Sequence, residues 1–191
     1  MENNSATATL CQTDDSSLLV VDVQERLTTT IPAKVLTRLK RNINLLVYAA
    51  EKLAIPVYAS EQYPAGLGPL EADIKKNLPA DSKLYEKTCF SCYGVAEFKQ
   101  QLADSKRRQV IVTGMEAHVC ILQTALDLHR AGYSVFITAD AICSRQRESY
   151  ETALYRMRRA NVVICDTESV LFEWLGDSRH EHFKSIQGLL K

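Results

Sequence analysis

Three residues able to do nucleophilic chemistry stand at or just past the ends of apolar runs. They are Asp22 after Leu18-Leu19-Val20-Val21, Lys87 after Leu84-Tyr85-Glu86, and Cys120, shortly after Val110-Ile111-Val112-Thr113. A thiol, a carboxylate and an ammonium in contact would form a nucleophile site, because the cation favours thiolate and the carboxylate can take and return a proton. Cys120 lies in Thr113-Gly114-Met115-Glu116-Ala117-His118-Val119-Cys120, between a strand-like run and the helical stretch Ile121 to His129. It is therefore expected where a strand hands over to a helix. The unpaired N–H groups of a helix start would ease loss of the thiol proton and could hold an oxyanion. Plainer readings stand beside these: a free cysteine is commonly a small buried hydrophobe, a buried aspartate caps a loop, and a lone lysine sits on a solvated surface. The coincidence of all three at one sheet edge favours the chemical reading. His118 could form a dyad with Cys120, but lining the site or packing is the preferred reading for it.

The elements that must position these residues alternate. Strand-like runs cover Ser17 to Gln24, Ile55 to Ser60, Leu84 to Lys87, Gln109 to Thr113, Tyr133 to Thr138 and Val162 to Cys165. Helical spacing covers Pro32 to Leu53, Val95 to Ala103, the stretch from Cys120 to near Gly132, Ser149 to Ala160, Thr167 to Leu175 and His182 to Leu190, with loops expected at Glu25 to Ile31 and Glu61 to Pro69. The first strand is too continuously apolar for a one-sided sheet. The alternation predicts an α/β fold, a single-domain three-layer α-β-α sandwich with a parallel sheet covered on both faces. In such sheets ligands bind beyond the carboxyl ends of the strands, where Asp22, Lys87 and Cys120 fall.

Composition narrows the partners. A length of 191 residues suits one domain, read as 17–191 after a polar lead-in at 1–16 expected to be disordered. Lys+Arg and Asp+Glu are 23 each, a formal net charge of zero, which removes the electrostatic argument for nucleic acid or an anionic membrane and leaves a small-molecule substrate as the default. The apolar runs are too short to cross a bilayer, and the N-terminal stretch lacks the basic and apolar regions of a secretory signal, so a cytoplasmic protein with its six cysteines reduced is expected. Cys89-x-x-Cys92 has redox or zinc spacing but no completing ligand pair, and His180-Glu181-His182 has no evident third ligand, so no metal is expected. The turn Asp22-Val23-Gln24-Glu25-Arg26 has no glycine, which argues against a dinucleotide-binding module. Leu27, Tyr63, Phe90 and Tyr93 are candidates to shape a small pocket.

The segments Val20-Val21-Asp22-Val23-Gln24, Tyr85-Glu86-Lys87-Thr88-Cys89-Phe90-Ser91 and Thr113 to Cys120 together resemble the isochorismatase-like cysteine hydrolase superfamily over about Leu18 to Leu175. Glu61 to Gly68 and Asp140-Ala141-Ile142-Cys143-Ser144-Arg145 resemble its isochorismatase domain-containing subgroup. The resemblance implies a six-stranded parallel sheet of order 3-2-1-4-5-6 and an Asp22, Lys87, Cys120 triad. It implies a cis Met115–Glu116 peptide and an oxyanion hole from the N–H groups of Glu116 and Cys120. It also implies a substrate pocket drawn from Gln24, Leu27, Tyr63, Phe90, Ala117 and His118, no cofactor, and a homo-oligomer. Nicotinamidases of the superfamily carry an Asp-x-His-x-His metal site after the second strand, whereas this chain has Ser60-Glu61-Gln62-Tyr63-Pro64 there. The expected reaction is thus metal-independent hydrolysis of an amide, carbamoyl or related carbonyl. The alternatives are thiol-independent ether hydrolysis with Asp22 as acid, and a non-catalytic scaffold.

Overall fold

The first apolar run forms β1 (Ser16–Val21), buried at every residue. The computed structural model describes residues 10–190, in which β1 is the third of six parallel strands. The others are β2 (Val57–Gln62), β3 (Lys83–Lys87), β4 (Gln109–Met115), β5 (Ser134–Cys143) and β6 (Val163–Cys165), in the order β3-β2-β1-β4-β5-β6. This is the predicted α/β sandwich. Alternate β1 side chains feed opposite layers: Leu18 and Val20 pack toward α2 (Ala33–Lys52) and α8 (Thr167–Leu175), and Leu19 and Val21 toward α5 (Ala96–Asp104), α6 (Leu122–Arg130) and α7 (Arg147–Arg159). Both faces are covered, which explains the lack of polar alternation in β1.

Several boundaries differ from the sequence expectation for identifiable reasons. Residues 10–16, assigned to the lead-in, belong to the folded body, while 1–9 lie outside the described residues. Cys11 is buried, its N–H donates to Glu173 Oε2 at 2.7 Å, and Thr13 Oγ1 donates to the Trp174 carbonyl at 2.6 Å. These ties lie about 160 residues apart in sequence, beyond any local pattern. The two expected loops contain single helical turns, α1 (Glu25–Thr28) and α3 (Pro64–Leu67), and β2 continues through Glu61 and Gln62. The short helix α4 (Ala72–Asn77) had no reading in the sequence because only Ile74 of it is buried. The C-terminal helix is shorter than expected, α9 (Phe183–Gln187).

β5 extends five residues past Thr138. Its register against β4 jumps from Val112↔Ile137 to Gly114↔Ile142, so the intervening residues bulge. Asp140 sits in that bulge and accepts from Thr167 N and Asn42 Nδ2, both at 2.8 Å, tying α8 and α2 to the sheet. The polar residue of an otherwise apolar segment therefore has a structural use, and the bulge re-aims Ile142 to Arg145 toward the carboxyl edge.

Gly114 adjoins Val21 across β1 and β4, with φ +115°, and a Cβ there would lie 2.0 Å from the Val21 carbonyl oxygen. Only glycine fits so close a backbone approach. Gly114→Ala is expected to lower stability by about 3 kcal/mol or more in urea unfolding. Gly132→Ala has a positive φ but nothing within 4 Å. It is expected to cost only about 1 kcal/mol in the same measurement.

Candidate active site

The three strand ends converge because the strands are in register. Val21 pairs with Ser60 of β2 and Gly114 of β4, and Gln62 of β2 pairs with Lys87 of β3. Asp22, the first residue past β1, has φ +50°, a left-handed conformation that aspartate tolerates better than most side chains. Its carboxylate is buried and doubly held: Ser60 Oγ donates to Oδ1 at 2.7 Å, and Lys87 Nζ donates to Oδ2 at 2.7 Å. Both side chains of the Asp22–Lys87 pair have no exposed surface. Lys87 Nζ also donates to Gln62 Oε1 at 2.7 Å and to the Phe90 carbonyl at 3.0 Å. Burial by itself would lower the Lys87 pKa. The charge and hydrogen bond of Asp22 outweigh it and raise that pKa above the usual 10.5.

Cys120 does not open an ordinary α-helix. It lies in a π-helical turn, Ala117–Ile121, that precedes α6, with the Glu116 carbonyl accepting from Val119 N at 3.1 Å and Ile121 N at 3.2 Å. The Met115–Glu116 peptide bond is cis. Cys120 is 6% exposed. Burial pushes its thiol pKa well above the ordinary value, and the charge of the Asp22 carboxylate pushes it further, against the opposing pull of Lys87. A helix start and a cation favour the anion, but low dielectric and a nearby carboxylate disfavour it more than one lysine favours it. Cys143 and Cys165 are each pushed up to about 12, chiefly by burial.

The residues expected to line the pocket have different surroundings. Gln24 is fully buried and clamps backbone: its Nε2 donates to the Gln62 carbonyl at 3.0 Å and the Gly68 carbonyl at 2.7 Å, and its Oε1 accepts from Gln62 N at 2.7 Å. It ties the loop rather than lining a pocket. Leu27 packs against the core layer containing α2, and Ala117 is buried in the opposite layer. Tyr63 and Phe90 are about half exposed beside Lys87, and Tyr63 lines a cleft of about 290 Å³ with Pro64, Ala65, Glu86, Lys87 and Thr88. Tyr93 packs against the layer containing α5, α6 and α7, edge-to-face with Tyr133. His118 forms no dyad with Cys120. Its Nδ1 faces Ser144 Oγ at 3.0 Å and Glu116 Oε2 at 3.2 Å, because the π turn points it toward the β5 end.

Three participants escaped the sequence reading. Ser60 and Gln62 hold Asp22 and Lys87, and Cys92 Sγ donates to Ser60 Oγ at 3.3 Å. Cys92, expected to ligate no metal, is buried beside Asp22 and Ser60, and its pKa is pushed up to about 11 by burial and the Asp22 charge. Their signal was weak because a polar residue ending a strand reads as the start of a loop. Position 62 of β2 aligning with position 87 of β3 is the geometric clue, and it requires the strand pairing to be known.

The isochorismatase domain model matches residues 16–169. The chain is 37% identical over 183 residues to the secreted isochorismatase effector Isc1 of Phytophthora sojae, covering 92% of this chain and 84% of that protein. It is 39% identical over 147 residues to isochorismatase domain-containing protein 2 of Xenopus laevis, covering 76% and 69% respectively. Among solved structures, the MAR1 ribonuclease of Caenorhabditis elegans superposes with a TM-score of 0.90 at 32% identity, over 95% of this chain and 92% of that one.

Removing one partner of a buried ion pair strands the other charge. Lys87→Met is expected to cost about 3 to 5 kcal/mol at pH 7 in chemical denaturation, and Asp22→Leu added to it to recover most of that loss. Because the folded Lys87 pKa is raised above 10.5, its contribution is complete below that pH and fades as pH rises through the folded value. The stability gap between wild type and Lys87→Met should therefore stay constant from pH 8 to 10 and narrow above it.

Proposed function

The chain belongs to the isochorismatase family, and on that premise we propose that it is a cofactor-independent cysteine hydrolase acting on a small amide, carbamoyl or related carbonyl compound. One observation carries the reading: the buried Asp22 carboxylate is held by Lys87 at 2.7 Å and lies close enough to Cys120 for its charge to raise the thiol pKa. A carboxylate so placed is a general base for the sulfur.

Cys120 rests as the thiol. When a carbonyl carbon reaches Sγ, the sulfur–carbon bond forms as the thiol proton passes to Asp22. The developing oxyanion is taken by the N–H groups of Glu116 and Cys120. Asp22 then gives its proton to the leaving nitrogen, the carbon–nitrogen bond breaks, and a thioester is left. Water attacks that thioester while Asp22 takes its proton, the carbon–sulfur bond breaks to release the acid, and returning the proton to sulfur restores the thiol. Lys87 stays protonated throughout and holds the Asp22 carboxylate in place between steps.

Thiol-independent ether hydrolysis by Asp22 acid and a scaffold without turnover are the competing readings. The formal net charge of zero lends no electrostatic support to carrying over the RNA substrate in the name of the C. elegans relative. A screen of small amides and carbamoyl compounds, read by release of ammonia or amine, identifies a substrate. On that substrate Cys120→Ala and Asp22→Asn are each expected to lower kcat at least about a thousandfold. Intact-protein mass spectrometry under turnover should show the acyl group on Cys120. Undiminished turnover by Cys120→Ala would exclude the thioester route.

A further inference from the structure

An ammonium has three N–H donors, and those of Lys87 are spent on Asp22 Oδ2, Gln62 Oε1 and the Phe90 carbonyl, with the Cys89 carbonyl at 3.4 Å as a distant fourth acceptor. Lys87 therefore acts on the chemistry through Asp22 and through its charge. Of its acceptors, Gln62 is the one side chain without charge. Gln62 is 8% exposed, and its own Nε2 donates to the Thr88 carbonyl at 2.8 Å, which fixes the amide with oxygen toward Lys87. Its backbone is gripped separately by Gln24. Asp22 and Lys87 thus sum to zero charge, and a neutral acceptor completes the lysine without upsetting that sum.

We propose that Gln62 is a positioning residue: its amide oxygen anchors the Lys87 ammonium on Asp22, and its neutrality keeps the charge facing Cys120 balanced. A carboxylate at this position would leave the group with one net negative charge beside a sulfur already reluctant to ionise. A side chain without an acceptor would leave a buried ammonium short of a partner, weakening the cation that opposes Asp22 at the thiol. The proposal rests on the hydrolase reading only in naming Cys120 as the nucleophile.

The test needs no substrate. Iodoacetamide alkylation of Cys120, followed residue by residue by peptide mass spectrometry from pH 6 to 10, reports its thiolate. Gln62→Glu is expected to slow alkylation at a fixed pH about tenfold, moving the profile up about one pH unit. Gln62→Met is expected to slow it in the same direction. Gln24→Met removes the backbone grip without touching Lys87, so it should lower the melting temperature and leave the profile in place. Unchanged profiles in folded Gln62 variants would overturn the proposal, as would an equal shift in Gln24→Met. Failure of both Gln62 variants to fold while Gln24→Met folds would make the role purely structural and overturn it too. Failure of the hydrolase reading would appear elsewhere, as turnover indifferent to Cys120→Ala.

Discussion

A salt bridge with no exposed surface on either partner governs this molecule. Bringing a carboxylate and an ammonium out of water costs several kcal/mol per ion, and their attraction offsets that only when the remaining donors and acceptors are also satisfied. Asp22 and Lys87 meet the condition through Ser60, Gln62 and the Phe90 carbonyl. The partners come from the ends of β1, β2 and β3 and from the turn after β3, so strand register at the carboxyl edge is an electrostatic requirement as well as a packing one. A one-residue slip of β2 would turn Ser60 and Gln62 away together.

The same pair sets the state of Cys120. At Cys143 and Cys165 burial is the main cause of a raised pKa, with nearby carboxylates adding to it. At Cys120 the charge of the neighbouring carboxylate adds to that rise, and in the reaction we propose the same carboxylate accepts the thiol proton during attack. A protonated resting thiol guards the sulfur from adventitious oxidation and alkylation, since the thiolate is the reactive form.

Beyond the Asp22–Lys87 pair, the β5 end supports the π turn. Glu116 Oε2 is approached by the Arg145 N–H at 3.4 Å, Arg145 Nη1 at 3.6 Å and His118 Nδ1 at 3.2 Å, while Ser144 Oγ meets the same histidine nitrogen. These contacts join residues 116 to 118 to residues 144 and 145 and brace the segment that carries Cys120. Glu116 Oε1 is buried without a hydrogen-bond partner, the one carboxylate oxygen among the described residues in that position. The β5 bulge makes this bracing geometry possible, because it shifts Cys143 into register with Met115.

The sequence by itself determined the layered fold, since continuous apolar runs such as Leu18 to Val21 alternate with amphipathic helices and parallel strands demand crossovers. It also determined which residues could be reactive, because Asp22, Lys87 and Cys120 close or follow those runs whatever their neighbours. Tertiary structure alone decided how each is used. Ser60 and Gln62 look like ordinary polar residues ending a strand until β2 is paired between β1 and β3. Gln24 and His118 look like pocket residues until their hydrogen bonds are seen to go to a loop and to the β5 end. The ionisation of Cys120 is not legible in the sequence because it depends on burial and on a carboxylate 98 positions earlier in the chain. Local pattern encodes which face of an element is apolar; it does not encode which charges lie a few ångströms apart once the faces are joined.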